Sequence, residues 1–127
     1  MAYPKEYKYT KEHEWINPQG NTALVGITNH AQESLGDIVF VELPKVGAQF
    51  SSGNSFGTVE SVKAVSELYA PASGKVSAVN DTLNQSPEDI NKDAHHTWMI
   101  KLDLSNPKEL DSLLSADEYE AYIAEEK

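Results

Sequence analysis

The alternation of apolar and polar positions divides this chain in two. From Lys8 to about Leu102, short runs with a period near two are interrupted by Gly, Pro, Asn and Ser, the rhythm of an all-β region. After Asn106 the apolar positions recur at helical spacing. The pattern predicts a strand at "EWIN" (14–17), a turn over Pro18, Gln19, Gly20 and Asn21, and a strand at "TALVGI" (22–27), together a hairpin. "TNHAQESLG" (28–36) predicts two turns of helix, with Asn29 as cap, Gln32 three residues on and Gly36 as the stop.

"DIVFVELP" (37–44) is the strongest predicted strand, with Val39, Val41 and Leu43 on one face and Ile38 and Phe40 on the other, so both faces are expected to be covered. "SFGTVESV" and "SELYAP" predict two strands flanking Lys63. "GKVSAVN" predicts another and "TWMIKL" the last, with "NDTLNQSPEDINKDAHH" as polar loop. Two helices are expected at the end. Asn106 caps the first, with Pro107 at its first position and Glu109 closing a capping box; Ser115 and Glu118 repeat that box before "YEAYIAEE". Leu110, Leu113, Leu114, Tyr119, Tyr122 and Ile123 supply the apolar stripe of this flank, and Trp15, Phe40, Phe56, Tyr69 and Trp98 read as core. The expectation is a mainly β fold in one domain over residues 1–127, with a β-rich core over 8–102, a short helix in its N-terminal half, and acidic helices over 106–127.

Charge narrows the partners. Ten Lys and Arg stand against twenty Asp and Glu, a net −10. Residues 107–127 hold seven acidic and two basic side chains, half of that excess. Nucleic acid and anionic membrane both demand a basic face, so neither is expected as a partner. The chain has no cysteine, which removes disulfides, thiolate metal sites and a cysteine nucleophile. No apolar leader or membrane-length run appears, and the chain reads as an unprocessed cytoplasmic monomer.

Within this pattern Lys63 stands alone between two apolar runs. A hairpin there lifts its amine into water, and Glu60 and Glu67 nearby favour the ammonium form, so amine catalysis is not expected. A protruding lysine on a rigid turn instead suits acylation by a visiting enzyme, giving a tethered arm that reaches several active sites at high effective concentration. Taken singly, most such lysines are ordinary solvated turn residues.

The neighbourhood speaks for more. "ESVKA" followed by "APASGKV" resembles the modification hairpin of the glycine cleavage H-protein family. "YTKEHEW", "VGITNHAQESLGDIVFVELP", "FGTVESVKA" and "YAPASGKVSAVN" resemble that family's blocks in order and spacing. Lipoyl domains of 2-oxo-acid dehydrogenases usually place Asp before the lysine, and biotin carriers flank it with methionines; here the flanks are Val62 and Ala64. The resemblance implies a lipoyl-domain-like β-sandwich or hybrid barrel, with lipoate amide-linked to Lys63. Lipoate ligase or an octanoyl or lipoyl transferase would attach it. Glu60, Ser61, Val62 and Ala64 would form the recognition turn, and Gly57 and Gly74 would permit the close chain turns behind it. The implied function is a non-catalytic carrier of the glycine cleavage system. It would take an aminomethyl group from a pyridoxal-phosphate glycine decarboxylase to a tetrahydrofolate-dependent aminomethyltransferase, with dihydrolipoamide dehydrogenase reoxidising the dithiol. A mature eukaryotic form would sit in the mitochondrial matrix. Two further readings stay open: a lipoyl or octanoyl donor to other lipoyl domains, and an unmodified binding module.

The resemblance also places Glu14, and with it Glu67, near a cleft where the loaded arm would dock. This chain departs from the family there, with Glu12 where a serine is common and Glu67 where many members carry Asp. "NKDAHHTW" lacks the Gly-bearing turn often found before the tryptophan strand. His13 and Glu14, if both in a strand, point to opposite faces and make no dyad. His95 and His96 diverge and lack a third ligand at metal spacing. His30 reads as an ordinary helix residue.

Overall fold

A computed structural model describes residues 3–125 as two antiparallel sheets with short helices at their edges. The six-stranded sheet contains β1 (Lys8–Tyr9), β2 (Glu14–Gln19), β3 (Thr22–Ile27), β5 (Gln49–Phe50), β8 (Gly74–Val79) and β9 (Ile100–Leu104), in the spatial order β1-β2-β3-β9-β8-β5. The three-stranded sheet is β4 (Ile38–Glu42), β6 (Ser55–Ser61) and β7 (Val65–Tyr69), in the order β4-β6-β7. The helices are α1 (Asn29–Leu35), α2 (Asp89–Lys92) and α3 (Ala116–Glu125). The fold is mainly β, as the alternation predicted, and forms a lipoyl-domain-like sandwich.

Register explains how one core joins the sheets. Ile16, Val25 and Ile100 lie opposite one another across β2, β3 and β9, and Ala23, Leu102 and Val76 form a second row. All six are buried, and they belong to the same cluster as Val41, Val59 and Leu68 from the smaller sheet. On the other face of the large sheet, Tyr9, Trp15 and Gly26 lie in a row. There Tyr3, Tyr7, Tyr9, Trp15, Ala116 and Tyr119 make a second core under α3. Gly26 is required beneath Trp15, because a Cβ would overlap the indole ring. The Trp15 indole N–H donates to the Ala94 carbonyl at 3.0 Å.

Several elements differ from the sequence expectation for identifiable reasons. The first hairpin is tighter: Pro18 and Gln19 stay in β2, and only Gly20 and Asn21 turn, with Gly20 at φ 70°. Thr28, not Asn29, caps α1, its hydroxyl accepting the Ala31 N–H, while Asn29 lies inside the helix and accepts from the Gln32 amide. Gly36 does end α1, at φ 82°. In β4 a bulge at Val39 breaks the alternation, so Ile38 and Val41 are buried while Val39 and Phe40 face solvent. Only one face of that strand is covered. Phe40 therefore leaves the expected aromatic core; Trp15 and Phe56 are buried, and Tyr69 and Trp98 are half-buried.

The segment 80–96 is not plain loop. It winds through short helical turns that bury Leu83, Ile90 and Ala94. Residues 107–112 form a 3-10 helix without a side-chain cap from Asn106. Glu109 closes no capping box there, because its carboxylate accepts the backbone N–H and the hydroxyl of Ser73 at 2.7 and 2.9 Å. The second box is present: the Ser115 N–H donates to Glu118 at 2.9 Å, and the Glu118 N–H to the Ser115 hydroxyl at 3.1 Å. The expected helix run reaches Glu126, which lies outside the described residues. Among the described residues no helix is long and apolar enough to cross a membrane.

Candidate functional site

Strands β6 and β7 pair from Ser55↔Tyr69 to Glu60↔Val65, and three residues, Val62, Lys63 and Ala64, close the hairpin. One hydroxyl organises this apex. The buried Ser61 Oγ accepts the backbone N–H of Lys63 at 3.3 Å and of Ala64 at 3.1 Å, and the Ser61 N–H donates to the Ala64 carbonyl at 2.8 Å. Side-chain oxygens that take local N–H groups in this way hold turns that sheet pairing cannot reach. Val62, Lys63 and Ala64 project into solvent, and Glu60 is exposed one register row below.

The apex rests on a second segment. The Val62 N–H donates to the Asp37 carbonyl at 3.0 Å. The Lys63 stem lies against Gly36, where an added Cβ would sit 3.6 Å from Lys63 Cε. Asn91 of α2 clamps this stretch from below: its Oδ1 accepts the Ile38 N–H, and its Nδ2 donates to the Gly36 carbonyl and to Gln32 Oε1, each at 2.9 Å. Asn91 thus fixes the floor beneath Lys63. Sequence reasoning missed it, because its partners lie more than fifty residues away; the only local signal was a polar residue beside Ile90 in a supposed loop.

Gly57 and Gly74 act differently from expectation. Neither turns the chain. Gly57 sits in β6 beside a bulge and Gly74 begins β8, and a Cβ at either would collide with a neighbouring strand's carbonyl, that of Glu42 or of Asp103.

The two carboxylates assigned to a docking cleft are not brought together. Glu14 is only 1% exposed; its Oε1 accepts the Thr10 hydroxyl at 2.7 Å and its Oε2 the Tyr69 N–H at 3.1 Å. Burial pushes its pKa up to about 7, against the opposing pull of those two bonds. Glu67 stands on the outer face of β7, opposite Thr58. Two hollows open beside Tyr69 and Ser66 of β7, one of about 260 Å³ lined by Glu12, Gly53 and Tyr69, the other of about 250 Å³ bordered by Glu12, His13, His30, Leu35 and Ser66, and neither is lined by Glu14 or Glu67. Glu12 borders both.

His13 precedes β2 in the left-handed region at φ 71°, so the alternation argument does not apply to it. Its Nδ1 lies 2.7 Å from the Tyr119 hydroxyl and its ring 4.7 Å from that of His30. His95 and His96 do part. His95 is buried and accepts the Asn29 N–H at Nε2, which fixes the neutral tautomer, and burial lowers its basicity. His96 meets Asp93 at 3.0 Å at the surface. Among the described residues no three His, Asp or Glu side chains converge as a metal site would require.

The comparisons with known proteins bear on the whole chain. Residues 7–126 match the family model described as glycine cleavage H-protein. Glycine cleavage system H proteins of Koribacter versatilis and Acidobacterium capsulatum are 64% and 60% identical over 126 residues, each alignment covering 99% of this chain and 98% of the relative. A crystal structure of a glycine cleavage system H protein from Mycobacterium marinum superposes with a TM-score of 0.86 at 40% identity, covering 96% of this chain and 99% of that one.

Proposed function

The chain belongs to the glycine cleavage H-protein family, and from that premise we propose that it is the lipoyl carrier of a glycine cleavage system, with lipoate in amide linkage at Lys63. The observation that carries the site is the Ser61 hydroxyl ring, which holds Lys63 at an exposed apex. A freely moving loop would make a visiting enzyme order the backbone as it binds; here that ordering is already done.

The residues present fit the group. Lys63 offers a solvent-facing amine on a stem steadied against Gly36, and Val62 and Ala64 leave room on both sides. During attachment the Lys63 ammonium loses a proton and Nζ attacks the carbonyl carbon of an activated lipoyl ester or thioester. The C–N bond forms, and the C–O or C–S bond breaks with departure of the leaving group. Lipoate ligase or an octanoyl or lipoyl transferase is the catalyst on this reading.

Once bound, lipoate would supply a disulfide that opens to accept the aminomethyl group at the pyridoxal-phosphate decarboxylase; after the tetrahydrofolate-dependent aminomethyltransferase removes that group, the dithiol left would be reoxidised by dihydrolipoamide dehydrogenase. The chain's own residues do no bond-making in that cycle. Ser61 and Asp37 set where the tether starts. Glu14 braces Thr10 and Tyr69 from within, and Glu12 offers the solvent-facing carboxylate of the adjoining hollows. Glu67, exposed on β7 opposite Thr58, enters as a surface charge. A cytoplasmic setting accords with the bacterial relatives.

Intact mass tests the site directly. After co-expression with lipoate ligase and lipoate, the parent should gain one lipoyl increment and Lys63→Arg none. Glycine–bicarbonate exchange with the decarboxylase should then proceed only with the modified parent. A parent that stays bare, also with an octanoyl-transfer system, refutes the carrier reading.

A further inference from the structure

The outer face of the small sheet carries an unpartnered apolar strip that ends at the lysine turn. Phe40 of β4 lies opposite Glu60 of β6, and Glu60 opposite Val65 of β7. Directly opposed residues project from the same face, so these three form one row. The next row is Glu42, Thr58 and Glu67. Phe40 is 52% exposed and Val65 66%, and Val62, at the turn itself, is 69% exposed. The β4 bulge exists in the backbone regardless of what covers it, and it turns Val39 outward as well. Four large apolar side chains thus share the end of the molecule that presents Lys63, with Glu42, Glu60 and Glu67 among and beside them.

We propose that this face, from Phe40 through Glu60 to Val65 and Val62, docks the enzyme that acylates Lys63, a partner with an apolar contact edged by Lys or Arg. The inference rests on the lipoyl-carrier reading and extends recognition beyond the turn to a strand more than twenty residues earlier. Reach selects this occupant over the others. An acylating enzyme must bring an acyl carbon to bonding distance of Nζ on the bare lysine, so it has to cover the side chains on either side of that residue. Enzymes that work at the far end of a long arm need no contact with the turn. Charge selects the partner's chemistry: three carboxylates beside an apolar strip, on a chain of net −10, complement a basic rim and would steer its approach.

The test uses the full unmodified chain with lipoate ligase, lipoate and Mg-ATP, following the rate by intact mass. The variants are Phe40→Ser, Val65→Ser and the pair, with Val46→Ser as control, since Val46 is 61% exposed but lies outside the sheets. The pair should raise KM for the carrier about tenfold, the change expected for an aromatic anchor in a contact. The kcat, thermal midpoint and far-ultraviolet spectrum should stay at parent values, and Val46→Ser should match the parent throughout. Raised ionic strength should increase the parent's KM, and Glu42→Gln should weaken that dependence. An unchanged KM in the pair, with the parent fully acylated, overturns the docking face and leaves the carrier reading standing. The same follows if the pair is acylated normally but slows the decarboxylase. A parent that no acylating system modifies removes both.

Discussion

The two sheets are built from the same antiparallel pairing and finish in opposite ways. The large sheet is covered on both faces, by the small sheet on one and by α3 with a cluster of tyrosines on the other. Tyr9 bonds through its backbone to Leu114 in both directions at 2.9 Å, which fastens the approach to α3 onto the sheet edge. The small sheet buries Val41, Val59 and Leu68 and leaves its other face open, with Phe40 and Val65 in water. Burial is therefore found on both faces of the large sheet, and access where the hairpin leaves the small one. Exposed large apolar groups that contribute little to folding are a signature of surfaces made for contact.

Substitutions that break the comparison should rank accordingly. Trp15→Ala removes the largest fully buried side chain and orphans the Ala94 carbonyl, and should cost about 3–5 kcal/mol in a urea titration. Glu14→Gln should come next and be read through pH. The buried carboxyl is held protonated up to about pH 7, above its unfolded value. Its stabilising contribution is therefore full below about pH 4.5 and is lost as pH rises through 7. The parent should lose up to about 3 kcal/mol over that window relative to Glu14→Gln. His95 works in the other direction, since a depressed basicity stabilises above pH 6.5 and is lost on acidification. A His95→Gln background should make the Glu14 slope steeper and easier to read. No such slope difference would mean that Glu14 is hydrated.

Asn91→Ala leaves the Ile38 N–H and Gly36 carbonyl without their partner, at about 1–3 kcal/mol. It should also slow acylation of Lys63 while Phe56 and Val59 stay protected from amide exchange, because the loss is confined to the floor of the turn. Ser61→Ala, which removes the acceptor for two N–H groups, should cost about 1 kcal/mol, and Ser61→Thr should restore part of it. Phe40→Ser should fall within about 0.5 kcal/mol of the parent. A loss of 2 kcal/mol or more there would mean that Phe40 packs in solution, and the contrast between the faces would fail.

Much of this was legible in the linear pattern. Period-two alternation marked the strands at "TALVGI", "SFGTVESV" and "GKVSAVN", the last two each one residue longer than observed, and the hairpin around Lys63, since pairing between neighbours in sequence depends on local turns and alternation. Ser115 and Glu118 marked their helix start because a capping box closes within four residues. Elsewhere the pattern was overruled by distant partners. Glu109 looked like a capping residue until Ser73 came within reach, and one extra residue in β4 turned Phe40 from core to surface. Asn91 looked like a loop polar group and Glu14 like a cleft carboxylate, and both proved to be tied to segments more than fifty residues away.

By itself, then, the sequence determined the local elements and the placement of a lone lysine at a hairpin apex, since turns, caps and alternation act over a few residues. Tertiary structure decided what the lysine stands on, which carboxylate is withdrawn from water and which sheet face stays open. Those depend on contacts between remote segments, and a bulge or a single donor from afar changes them without altering the local pattern.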